Sequence, residues 1–172
     1  YYDRLFYQSG LQEKISTFIN SQKRTAGIAI SFGTMHHRDV LFCGNQQEID
    51  DDTNVKIIPI KRNSIFDMAS ITKVFTCLMT LKLVDCNMLQ LSNVIFDLDN
   101  RFVNLKEVTI NDLLSFKTPL VTANRIENAQ NMEEIEKLLF GIKPSFTNIG
   151  RLYSDMGAIV LKYVIEQVTG RE

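Results

Sequence analysis

With 172 residues, 45% of them hydrophobic, the chain is long enough for one well-buried core and too short for two ordinary domains. Its 19 basic and 20 acidic residues leave a net charge of -1, which excludes the long-range field that draws in nucleic acid or an anionic membrane surface. Small molecules or peptides are the favoured partners.

The opening Tyr1-Tyr2-Asp3-Arg4 lacks the apolar core of a signal peptide. No stretch approaches the roughly 18 uninterrupted apolar residues of a membrane span, so the chain is expected to be soluble. Gln12 to Ser21 carries Ile15, Phe18 and Ile19 at helical spacing, and the apolar run Ala26 to Phe32 predicts a strand after a basic turn. Gly33 to Arg38 has turn character, and Val40 to Cys43 predicts a second short strand before Gly44 and Asn45, making a hairpin. The adjacent His36 and His37 belong on the surface of that turn. Gln46 to Asn54 is polar and acidic and predicts an exposed loop, followed by a short extended piece from Val55 to Ile60.

From Ser70 the apolar residues Ile71, Val74, Phe75, Leu78, Met79, Leu81 and Leu83 predict a helix buried on most sides and running to about Asp85, with Asn87 as its stop. Leu89, Leu91, Val94, Ile95 and Phe96 fall in a looser region. Thr109 to Phe116 predicts a short helix entered through a Thr109 cap. Asn131 to Phe140 is amphipathic, with Met132, Ile135, Leu138 and Leu139 on one face. A last helix, Asp155 to Val168, turns Ile159, Leu161, Val164, Ile165 and Val168 inward and meets Gly170 where a C-terminal cap belongs. The expected organisation is a helix and hairpin over 1–60, then a helical region carrying the chemistry over 61–172.

Cys43, Cys77 and Cys86 are odd in number and accompanied by no Cys-x-x-Cys or Cys/His cluster, which argues against a disulfide framework and a zinc site. Ser70-Ile71-Thr72-Lys73 is a Ser-x-x-Lys motif at the start of an apolar helix, so its two functional side chains sit about one turn apart on one face. A serine hydroxyl needs a neighbouring base to become a useful nucleophile, and a lysine serves only if its pKa is lowered. Burial and a helix N-terminus both act in that direction. Taken alone, the motif reads as a helix cap plus a solvated lysine.

Its surroundings change that reading. Phe66-Asp67-Met68-Ala69-Ser70-Ile71-Thr72-Lys73-Val74-Phe75-Thr76 resembles the nucleophile segment of the penicillin-recognising, serine β-lactamase-like hydrolases, in particular their class C β-lactamase, D,D-carboxypeptidase and esterase branch. Leu83-Val84-Asp85, Asn87 to Leu91 and Val108 to Leu114 are similar to that family's following segments. Tyr153-Ser154-Asp155, 80 residues beyond Lys73, stands where the family has its Tyr-x-Asn or Tyr-x-Asp motif. The ordinary alternatives are a half-buried helix-entry tyrosine for Tyr153 and an N-cap carboxylate for Asp155.

The resemblance implies an α/β (α+β) fold of the β-lactamase/transpeptidase type, an antiparallel sheet flanked by a helical subdomain and incomplete at the C-terminus. It implies acyl transfer through Ser70, with Lys73 and Tyr153 managing its proton and Asp155 orienting Lys73, and it implies no cofactor or metal. Ionised Asp155 favours charged Lys73, which makes Tyr153 the better base. The substrates implied are β-lactams, D-alanyl peptides, or small esters and amides.

Three departures stand against the pattern. Leu114 to Leu120 replaces the family's His-Thr-Ser-Gly-Leu-like loop. The third motif, a Lys/His-x-Gly strand that donates half of the oxyanion hole, is not found, and 17 residues follow Asp155. The closing strands are missing too, so the resemblance covers about half of a complete family member, and a longer chain or a second chain is expected to complete the sheet. The rival readings are a catalytically silent penicillin-binding-like recognition module and a plain interaction domain. The resemblance implies the cell envelope, whereas three cysteines permit the cytoplasm.

Overall fold

The computed structural model describes residues 2–22, 26–50, 54–145 and 152–171, and the chain divides at Asp67/Met68 into two compact units. In the first, helix α1 (Tyr2–Gln22) precedes strands β1 (Gly27–Gly33), β2 (Arg38–Asp50) and β3 (Asn54–Pro59). The strands form one antiparallel sheet in the order β1-β2-β3. β2 changes partner midway: Arg38 to Gly44 pairs with β1, and Asn45 to Asp50 pairs with β3. Gly44 sits at the changeover with φ of 81°, a conformation that glycine adopts without a Cβ penalty. Its carbonyl accepts from the Ile60 N–H, and Ala26 O accepts from the Asn45 N–H, so both neighbours are tied to the changeover.

The expected hairpin is therefore a three-stranded sheet, and Gln46 to Asp50, expected as loop, is strand. Polar composition reports on exposure, whereas a ladder needs only backbone partners, which β3 supplies. The expected helix Gln12 to Ser21 is the second half of the longer α1, which packs on β2. Ile19, Leu41, Cys43 and Ile60 are buried, and His36 and His37 are exposed in the β1–β2 turn as expected.

The second unit contains α2 (Thr72–Asp85), α3 (Ile95–Leu98), α4 (Ile110–Leu114), α5 (Met132–Phe140) and α6 (Met156–Thr169), with a minimal two-stranded ladder of β4 (Leu120–Val121) and β5 (Lys143–Pro144). Its core contains Leu89, Ile95, Phe102, Leu105, Val108, Ile110, Leu113, Ile142, Val160 and Val164. Phe102, Phe140 and Tyr163 meet edge to face with centroids 5.2 to 6.0 Å apart. Beside them, buried Asp99 receives Arg101 through Nε at 2.9 Å and Nη2 at 2.7 Å, and the guanidinium lies 4.6 Å from the Phe140 ring.

The loose region expected around Leu89 to Phe96 is thus part of the centre of this unit. Ile95 is fully buried, and Val94 bridges to Thr109. A four-residue helix is too short to show periodicity, which is why its burial escaped the sequence. Local stops were more legible. Thr109 and Asp112 form a capping box at α4, and Gly170 ends α6 in the left-handed region at φ of 64°. Asn87, at φ of 57°, closes α2 in a Schellman arrangement: its N–H reaches Val84 O, and the Met88 N–H reaches Leu83 O.

α2 departs most from expectation. Among its residues only Thr80 is buried, while Val74, Phe75, Leu78, Met79 and Leu81 are all exposed. One flank packs along α6, and its apolar character continues onto faces that this unit does not cover.

Candidate active site

Ser70 lies in a single 3-10 turn, Ala69–Ile71, that leads directly into α2. The turn is closed by the Ile71 N–H on Met68 O at 2.9 Å. Ala69, immediately before Ser70, has φ of 42°. A residue with a Cβ pays about 1–2 kcal/mol in the left-handed region, so strain sits next to the serine hydroxyl. Lys73 follows three residues later, and its Nζ donates to Ser70 Oγ at 3.1 Å. The Ser-x-x-Lys spacing therefore makes the contact expected of it.

Tyr153 and Asp155 enter from the other side, on the approach to α6. Asp155 is the N-cap residue of α6, yet its side chain makes no capping bond. The Asp155 carboxylate instead forms an ion pair with Lys73 Nζ, while Ser154 Oγ accepts from the Met156 N–H at 3.2 Å. The ordinary N-cap role falls to Ser154, and Asp155 is left for Lys73. Tyr153 sets its ring 4.8 Å from Lys73 Nζ. All four residues named from the sequence thus converge on one point.

The electrostatics correct one expectation. Lys73 is held above the ordinary lysine pKa, first by its hydrogen bond with Asp155 and then by that with Tyr153, and these outweigh desolvation. A helix start was expected to lower this lysine, but a carboxylate in contact is the stronger influence. The Tyr153 phenol is pulled below its ordinary pKa, first by a hydrogen bond with Ser70 and then by one with Lys73. Both directions favour the charged forms relative to the free side chains, the ammonium at Lys73 and the phenolate at Tyr153.

Phe116 was missed. Its ring stacks on Tyr153 with centroids 5.3 Å apart and an interplanar angle of 29°. It occupies the residue after the α4 cap with φ of 54°, in a Schellman arrangement where its N–H reaches Leu113 O and the Lys117 N–H reaches Asp112 O. Glycine is usual there, and an aromatic residue in that region is a true outlier. Phe116 O also accepts from the Leu152 N–H at 3.2 Å, so the divergent Leu114 to Leu120 segment holds the Tyr153 strand of chain at two points. The signal available in the sequence was the absence of a glycine after a well-capped helix.

Among the described residues, no three His, Cys, Asp or Glu side chains gather as a metal cluster, and no helix is long and apolar enough to cross a membrane. Cys43 is buried, Cys77 half-buried and Cys86 exposed, each as a free thiol. A family model described as Beta-lactamase matches residues 22–172. No curated protein matches the chain.

Proposed function

The chain belongs to the Beta-lactamase family, a family of serine hydrolases, and from that premise we propose that it forms an acyl-enzyme on Ser70. The observation that carries this reading is the position of Lys73 Nζ, which touches Ser70 Oγ and the Asp155 carboxylate at once, with Tyr153 against it. Tyr153 takes the Ser70 proton as Oγ attacks a carbonyl carbon. The bond from that carbon to the leaving oxygen or nitrogen then breaks, and the same proton passes to the leaving group. Water repeats the sequence on the ester and frees Ser70. Lys73 remains an ammonium that stabilises the tyrosinate and the negative charge building near Oγ, and Asp155 holds it in place. The substrate classes in view are β-lactams, D-alanyl peptides, and small esters or amides.

The experiment is covalent labelling of the intact protein with a fluorescent penicillin and, separately, with a fluorophosphonate. Label on Ser70 that Ser70→Ala abolishes is the expected result. Saturable, reversible binding without covalent label would establish a silent recognition module instead, and neither label nor binding would favour an interaction domain.

A further inference from the structure

Ser70 borders two depressions, both mainly apolar in surface, of which the first has the fewer charged side chains around it. One, of about 340 Å³, is walled by Val74, Cys77 and Leu78 of α2, by Leu113 and Phe116 at the end of α4, and by Leu161 of α6, with Ser70, Lys73 and Tyr153 at its mouth. The other, of about 530 Å³, shares Ser70 and Lys73 and is bordered by Thr72, Asp155, Ile159 and Lys162. Volumes of this size hold small organic groups. Lys73 is the one charged side chain on the apolar wall, and it is already engaged by Asp155.

We propose that the apolar depression is the acyl pocket, and that the substrates it selects carry an uncharged, medium-length aliphatic or aryl acyl group. The inference rests on the acyl-serine reading above. A carbonyl carbon bonded to Ser70 Oγ carries two groups before attack. One stays on the serine until water arrives, and the other takes up a proton and, unless a ring tethers it to the acyl group, departs to solvent. The retained group gains from an apolar wall, which removes its surface from water. The departing alcohol or amine is polar, and the wider depression, bordered by Lys73, Asp155 and Lys162, gives it and the incoming water a route. A carboxylate on the acyl chain would enter the apolar depression without a free cation to meet it, at a desolvation cost.

Cys77 is one of the residues that line this depression. It lies four residues beyond Lys73 and seven beyond Ser70, hence on the same helical face, and it is half-buried. No chemistry is asked of its thiol. The step itself balances as in any ester: the Oγ–acyl bond forms, the bond from the acyl carbon to the alcohol oxygen breaks, and the serine proton leaves on the alcohol.

The test uses the intact protein and p-nitrophenyl esters from acetate to octanoate, so that the leaving group is constant. The expected kcat/KM rises about fourfold per methylene, and so about sixteenfold from acetate to butyrate, until the pocket is full. Cys77→Phe is expected to lower the hexanoate to acetate ratio at least tenfold, and Cys77→Ala to move the optimum to longer chains, so a misfolded Phe variant leaves the test intact. Binding of n-alkyl carboxamides, followed by calorimetry, gives a readout that needs no turnover. Label on Ser70 together with a chain-length profile that is flat for esters and amides overturns the pocket and spares the acyl-serine reading. Amide affinity that climbs with chain length in a protein whose Ser70 takes no label upholds the pocket and overturns the acyl-serine chemistry.

Discussion

α2 and α6 are both 14 residues long and both rich in apolar side chains, yet α6 buries Gly157, Val160, Leu161, Val164 and Ile165 whereas α2 buries only Thr80. The difference lies in their neighbours. α6 is wrapped by α2, α3, α4 and β4, so its stripe has partners on several sides. α2 meets α6 along one flank and leaves Phe75, Leu78 and Met79 about half exposed. Apolar content predicted both helices; it did not say which would be enclosed. The candidate active-site residues divide along the same line, since Ser70 and Lys73 stand at the start of the thinly covered helix and Tyr153 and Asp155 on the approach to the enclosed one.

A pair of identical truncations gives the sharpest test of this contrast. Phe102→Ala, in the core that surrounds α6, is expected to cost about 3–5 kcal/mol in chemical denaturation of the intact protein. Phe75→Ala, on the open face of α2, should cost about 0.5 kcal/mol or less. Equal losses would break the comparison by showing that the α2 face is enclosed in the folded protein.

The next largest effect concerns the α6 side of the site. Tyr153→Phe should slow acylation of Ser70 by about a hundredfold or more, the ordinary scale for losing a general base. In the wild-type protein the acylation rate should climb as Tyr153 deprotonates, with a midpoint below about 10, the unperturbed phenol value. That limb should vanish in Tyr153→Phe. An unchanged rate would show that Lys73 alone takes the proton.

For Lys73 on α2, Asp155→Asn removes the largest support of its ammonium. Because Lys73 is raised, the wild-type profile should hold until the lysine deprotonates above its usual range of about 10.4, and the variant should fall off at lower pH. A falling limb that does not move would separate Asp155 from Lys73 functionally. The smallest expected effect tests the foundation of Phe116: Thr109→Ala removes the capping box of α4 and should cost about 1 kcal/mol, read by thermal or denaturant unfolding.

Much of this was legible locally. Ser-x-x-Lys fixes a one-turn contact, and Thr109, Asn87 and Gly170 mark helix ends through short-range backbone chemistry that needs no distant partner. Tyr153 and Asp155 could be named because a family pattern resembles theirs, but spacing along the chain does not specify contact. Their convergence on Lys73 depends on how α6 packs along α2, and so does the rise in the lysine's pKa, which reverses what the helix start alone suggests. The polar half of β2 shows the same limit, because a strand is defined by its partner and β3 is that partner.

The sequence by itself determined the ends of α2 and α6, the capped start of α4, the turn histidines and the serine–lysine pair, since each depends on residues within a turn or two of one another. Only tertiary structure decided that Asp155 pairs with Lys73, that a strained Phe116 stacks on Tyr153, and that an apolar hollow opens beside Ser70. These are contacts between segments far apart in the chain, and burial and charge acquire their values from them.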